Sequence, residues 1–291
     1  MTWNKDVYEK HNVLKWHELE YKGQEVNVVW LDFFKEDENH GRRMKAIINE
    51  VAPLANVIEL QSDEDSSIDY IVANKDKIDI INCSFGAKLP FYFLTQLKDL
   101  GIPIIAASGN EHQKDRINMP ASFNFTIAIG EYMDSFKKVV DRSNKGEKLD
   151  AVNESFFFFW NDEETFSTNG TSASTAFTTS MIALLLSWAK KQGLKLNNEQ
   201  VRNFIHENSL DLYEEGRDNT SGYGLFILPE KLPSKEEFVV EDTKNNEVSE
   251  WAKEAQAWVK ENEISDGTRP KDPITREEIW TMLHRINNEK K

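Results

Sequence analysis

Five short apolar runs, separated by segments long enough for a helix, constrain this chain more than any other feature. They are VNVVWL (26–31), NVIEL (56–60), IDIINC (78–83), IPIIAA (102–107) and FTIAIG (125–130). Each has the length of a strand, and the first, running up to Asp32, reads as a buried one. Between them, Met44, Ile47, Ile48 and Val51 share one helical face in 42–51, and 68–75 and 91–100 also read as helices, the last closed by Gly101. Strand–helix alternation over some 130 residues predicts a parallel sheet with helices on both faces. Ligand sites in such sheets lie at the carboxyl ends of the strands. Asp32, the Asn82-Cys83-Ser84 stretch and Gly109-Asn110 all fall at such ends, and His40 opens the helix after Asp32.

One later segment has a different texture. In FSTNGTSASTAFTTSMIALLLSWA (166–189) a small, polar half runs into an apolar half. Small residues allow a tight turn and close backbone approach. A helix start offers unpaired N–H groups and the positive end of a dipole. Ser172 is therefore placed as an exposed nucleophile at a helix N-terminus, provided that the chain supplies a base, an orienting acid and an oxyanion donor.

Bulk properties exclude several classes. The chain has 291 residues, 39% of them hydrophobic and 11% aromatic, which suits one sizeable domain plus a small appendage. A net charge of -15 argues against nucleic-acid binding. Cys83 is the single cysteine, so no intrachain disulfide forms, as suits a reducing compartment. The N-terminal stretch lacks a secretory apolar core, and FFFFW (156–160) and IALLLSWA (182–189) are too short for a membrane span, so a soluble, cytoplasmic protein is expected. The organisation expected is an N-terminal arm (1–22), a main domain (23–232), a linker rich in Lys, Glu, Asp and Asn (233–250) and a small helical module (251–291). In that module, Trp251, Ala255, Trp258 and Val259 share a helix face, a Ser265-Asp266-Gly267-Thr268 turn follows, and Thr275 caps a helix over 274–286.

Asp32, His40, Asn110 and Ser172 stand in the order Asp, His, Asn, Ser. With the stretches VNVVWLD, HGRRMKAIINEVAPLANVIEL, IDIINCSFG, GIPIIAASGNE, MPASFNFTIAIGEY followed by RSNKGEKLD, NGTSASTAFTTSMIALLL and SGYGLF, the chain resembles the subtilisin-like serine proteases over roughly residues 20–230. That resemblance implies a serine endopeptidase. Ser172 would attack the peptide carbonyl, His40 would be the base, and Asp32 would orient the imidazole. Asn110 and the Ser172 N–H would hold the oxyanion. Ser84, Phe85 and Gly86, with Ala107, Ser108 and Gly109, would line the pocket for the residue before the scissile bond.

The chain departs from the family pattern in four places. Asp32 is followed by Phe33-Phe34 where the family has Ser or Thr and then Gly, Arg42 follows His40-Gly41, and Ala176 replaces a proline. Only residues 33–39 separate Asp32 from His40, fewer than in the family. The shortening removes the segment that usually supports calcium sites, and no acidic loop has an EF-hand-like spacing, so no metal or other cofactor is expected. These departures keep open a catalytically inactive, peptide-binding or scaffold member. An esterase is disfavoured, because a Gly-x-Ser-x-Gly elbow is absent. The arm could cover the site, and Asp63-Glu64-Asp65 would select basic residues upstream of the cut or else be a plain solvated loop. Of the histidines outside the motifs, His112 lies nearest the oxyanion asparagine. The module resembles surface-layer-homology and phage-hydrolase tails, implying docking to a partner, cell wall or phage assembly. Protein or peptide substrates are expected, with no nucleic acid and no membrane.

Overall fold

Apolar runs at the predicted places do become the strands of one sheet. The computed structural model describes residues 4–34, 39–86, 92–160, 165–238, 248, 252–262, 264–265 and 276–288. Strands β1 (Asn27–Asp32), β2 (Asn56–Gln61), β3 (Ile80–Cys83), β4 (Ile104–Ala107) and β5 (Ile127–Met133) correspond to the five runs. Strand β6 (Lys138–Val139) pairs antiparallel with β5, β8 (Phe158–Trp160) and β9 (Thr165–Ser167) form a separate antiparallel pair, and β7 (Ala151–Glu154), β10 (Ser209–Leu210) and β11 (Leu225–Phe226) complete a nine-stranded sheet. Its order is β10-β11-β7-β5-β4-β3-β1-β2, and every pair from β11 to β2 along this path is parallel. Strand β2 lies on one side of β1 and β3 on the other, so the winding reverses between β1 and β3. That reversal opens a crevice at the carboxyl ends, which is where Asp32 and Ser84 lie.

Both faces are covered. Alternate residues of β1 point opposite ways. Val29 and Leu31 join a cluster with Ile68 and Ile71 of α4 (Asp65–Ala73) and with Leu94 and Leu97. Helix α5 (Thr171–Lys191) packs on β3, β4, β5 and β7 and against α3 (His40–Val51). All of α5 from Thr171 to Ala189 is buried. By length and composition α5 could cross a bilayer, which the shorter run 182–189 did not suggest, but its apolar window is wholly inside the fold.

Two segments differ from expectation. Residues 92–97 form a 3₁₀ helix, not an α-helix. Its buried members Leu94 and Leu97 are three apart, the spacing that stacks side chains at three residues per turn. The arm forms helices α1 (Lys5–Lys10) and α2 (Val13–Glu18), fused to the domain. Tyr8, Val13 and Trp16 are buried, Asn12 Nδ2 and Trp16 Nε1 donate to Leu228 O and Pro229 O, and Tyr8 Oη donates to Glu50 at 2.6 Å. Glu50 is near the end of α3 opposite His40, ten residues or ~15 Å away along the axis. These contacts make the arm a clasp on the far end of α3 and not a cover over its start.

The chain divides between Lys235 and Glu236. After α6 (Asn198–Glu207), whose Asn197 and Gln200 make a capping box, the second unit holds α7 (Lys253–Glu261) and α8 (Arg276–Asn288). In that unit, Ile264 is buried, and Arg285 donates to its carbonyl at 2.9 Å. Trp258, Ile279, Trp280 and Leu283 are exposed. The expected Asp266-Gly267 turn, the Thr275 cap, Trp251 and most of the charged linker lie outside the described residues.

Candidate active site

Asp32 ends β1 and His40 begins α3. The Asp32 side chain is fully buried, while that of His40 is 39% exposed. Asp32 Oδ1 accepts from Phe33 N at 2.8 Å and from His40 Nδ1 at 2.7 Å. A carboxylate on Nδ1 fixes the tautomer with the Nδ1 proton, leaving Nε2 as the acceptor. The short connection is sufficient, because Gly41 N–H returns to Phe33 O at 3.1 Å and so lays the start of α3 back on the end of β1. Among the described residues, Asp32 Oδ2 has no hydrogen-bond partner. The next residue is Phe33, whose ring packs edge-on against Phe85 at 5.9 Å and has no donor to offer. Burial, reinforced by the Asp32 charge, raises the neighbouring Cys83 thiol far above its ordinary range and keeps it protonated. Cys83 is thus a packing residue.

Ser172 is the second residue of α5 and is 9% exposed. The turn before it is tied down one N–H at a time. Gly170 N donates to Glu131 Oε1 at 2.8 Å and Thr171 N to Asn110 Oδ1 at 3.0 Å. Gly109 N donates to Thr171 Oγ1 at 3.2 Å. Gly170 has φ +89°, a left-handed conformation that a side chain would strain. Among the described residues, the Ser172 N–H and the Asn110 Nδ2 have no hydrogen-bond acceptor. Asn110 Oδ1 is held by Thr171 N, which leaves its Nδ2 to donate elsewhere. The Ser172 hydroxyl donates to Ser84 O at 2.7 Å, and Ser84 Oγ returns to Ser172 O at 2.9 Å. No hydrogen bond joins Ser172 Oγ to His40 among the described residues.

Ser84-Phe85-Gly86 and Ala107-Ser108-Gly109 follow or end the adjacent strands β3 and β4. A polar plug lies against this slot. Asn144 Nδ2 donates to Glu111 Oε2 at 2.7 Å and to Ser108 O at 3.1 Å, and Asn118 Nδ2 donates to Glu111 Oε2 at 3.0 Å. A Cβ on Gly109 would stand only 2.6 Å from Asn118 Nδ2 and would collide with Asn144 Nδ2; one on Gly86 would be 3.0 Å from Asn118 Cβ. The sequence reading gave no role to Asn118, Asn144, Glu111, Glu131 or Arg142, although all but Asn118 stand within the stretches quoted for the resemblance. Only their spatial convergence marks them, since each stands in a turn-rich or strand segment with no pattern of its own. Glu64 and Asp65 sit at the start of α4, where carboxylates complement the helix dipole, and Asp63 accepts from Gln61. His112 has φ +59° and is tied through its backbone to Arg142 O, with no side-chain hydrogen bond to a described residue.

Comparison with known proteins decides the family. The profile of the subtilase family matches residues 35–224, about two thirds of the chain. The chain belongs to the subtilase family. That span contains His40, Asn110 and Ser172 and begins just after Asp32. The subtilase is also 25% identical over 233 residues to the minor extracellular protease Epr of Bacillus subtilis (strain 168), a match covering 72% of this chain and 35% of that protein. It thus spans about a third of the length of that relative. Among solved structures, the prenylagaramide maturation protease PagA superposes with a TM-score of 0.63 at 22% identity, covering 74% of this chain and 94% of PagA. A lanthipeptide protease gives 0.64 at 15% identity, covering 75% and 90%. At these identities the likeness is one of fold, and it agrees with the mainly parallel, helix-flanked sheet. The family profile and the shared fold thus agree in placing the chain among the subtilases.

Proposed function

We propose that this subtilase is an endopeptidase in which Ser172 is the nucleophile, His40 the general base and acid, Asp32 the orienting carboxylate and Asn110 an oxyanion donor. The observation that carries this reading is the 2.7 Å bond from His40 Nδ1 to a buried carboxylate across a minimal connection. It leaves Nε2 free of the proton that Ser172 must give up. Substrate binding would turn the Ser172 hydroxyl from Ser84 O toward Nε2; catalytic hydrogen bonds often form only in the complex. As the Ser172 oxygen bonds to the scissile carbonyl carbon, its proton passes to Nε2 and negative charge collects on the carbonyl oxygen. The Ser172 N–H and Asn110 Nδ2 would meet that charge, and one such donor is worth ~100- to 1000-fold in turnover. His40 then protonates the departing amine, leaving an acyl group on Ser172. Water, deprotonated by the same imidazole, releases it. None of these steps calls for a metal or cofactor.

Incubation with a mixed peptide library tests the proposal, with new termini read by mass spectrometry beside Ser172→Ala. Cleavage by the wild type alone is expected. A wild type that stays folded yet cleaves nothing, or cleavage that survives Ser172→Ala, would overturn it.

A further inference from the structure

Glu131 stands in the MPASFNFTIAIGEY stretch with no role assigned to it there, yet it is a fully buried carboxylate that accepts from the turn before the nucleophile. It projects from β5 and collects four donor contacts. Arg142 Nε reaches Oε2 at 2.7 Å and Arg142 Nη2 reaches Oε1 at 2.5 Å, a two-pronged ion pair. Ser155 Oγ donates to Oε1 at 3.0 Å, and the fourth donor is Gly170 N at 2.8 Å. The pairing also raises the Arg142 guanidinium further above its usual range.

The geometry points to Glu131 as a positioning residue for the proposed hydrolysis: Arg142 locks its carboxylate, and the locked carboxylate holds the Gly170 N–H so that the Ser172 N–H faces the substrate oxygen. This inference rests on the serine-peptidase reading above. Three consecutive amides explain it. Gly170 N–H is taken by Glu131 and Thr171 N–H by Asn110, which leaves the Ser172 N–H to point out of the helix start. Gly170 is left-handed and has no side chain to hold it, so its conformation depends on these external bonds. A buried, doubly paired carboxylate is a rigid acceptor. A slip of ~1 Å at such a turn costs ~100-fold in rate.

Two conservative variants separate positioning from mere stability. Glu131→Gln keeps an oxygen at full reach of Gly170 but loses the charge on Arg142. Glu131→Asp keeps the charge but withdraws the acceptor by one methylene. Positioning predicts that Glu131→Asp loses ~30- to 100-fold in kcat with KM changed less than ~3-fold, while Glu131→Gln, whose oxygen still reaches Gly170 but is no longer locked by Arg142, loses less, ~3- to 10-fold. It also predicts at least ~10-fold faster hydrogen exchange at the Gly170 amide in Glu131→Asp and a smaller rise in Glu131→Gln. Wild-type kcat and Gly170 exchange in Glu131→Asp would overturn the inference, as would losses in both variants that merely track their melting temperatures. A wild type without peptidase activity would sink the serine-peptidase reading instead, and Gly170 exchange in the two variants would still decide whether Glu131 holds the turn.

Discussion

Replacing Trp16 by alanine tests whether the N-terminal arm is part of the fold or a cover. Trp16 is fully buried in α2, and its Nε1 donates to Pro229 O at 2.9 Å. A tryptophan buries ~200 Å² or more, worth ~5 kcal/mol at ~25 cal/mol per Å². Measured truncations of buried aromatics cost ~3–5 kcal/mol, and the orphaned Pro229 carbonyl adds ~1 kcal/mol if water does not reach it. We take ~4 kcal/mol, which in a domain of this size lowers the melting temperature by roughly 8–16 °C. Urea and thermal unfolding followed by circular dichroism will read both values. Labelling by a serine-directed probe, measured well below the transition, should keep its wild-type rate, because the arm grips the far end of α3. A loss under ~1 kcal/mol would refute the packing argument. A marked rise in labelling rate would restore the arm as a cover.

Three further outcomes follow from the same geometry. Asp32→Asn should fold yet lose ~10⁴-fold in kcat, because an amide can no longer hold the Nδ1–H tautomer of His40; steady-state kinetics on a cleaved peptide checks this. Asn118→Gly should open the slot beside Gly86 and Gly109, so that the ratio of kcat/KM for phenylalanine over alanine before the scissile bond rises ~10- to 100-fold, and an unchanged ratio would place the specificity pocket elsewhere. Burial pushes His11 down from 6.5 to about 4, so the folded state resists its protonation: this contribution is complete above pH 6.5 and is lost as pH falls from 6.5 toward 4. Between pH 7 and pH 4.5 the loss is about 2.5 kcal/mol from His11 alone. Urea midpoints of wild type and His11→Asn at the two pH values should show the variant losing that much less.

The sheet was legible because buried parallel strands write themselves as unbroken apolar runs, and Ile81, Ile105 and Ile127 have no other use. Asp32, His40, Asn110 and Ser172 stand out as candidates because their motifs come in a fixed order at strand and helix ends. Other features are set by tertiary contact. Phe157 and Phe159 are buried while Phe156 and Trp160 are exposed, the alternation of β8 (Phe158–Trp160) and its approach, but a run of five aromatics hides any period. Tyr8, Val13 and Trp16 gain meaning only against Glu50 and the 228–229 carbonyls. Glu131 and Arg142 are two ordinary charges until β5 and the loop after β6 bring them together behind Gly170. The polar plug of Glu111, Asn118 and Asn144 likewise unites residues that no local pattern connects.

Intact-mass measurement after treatment with a fluorophosphonate tests the central claim most directly. The claim is that Asp32 and His40 arm Ser172. A single phosphonyl adduct is predicted on the wild type, none on Ser172→Ala, and far slower formation on His40→Ala. A folded wild type that gains no adduct, or a Ser172→Ala protein that still gains one, would contradict it.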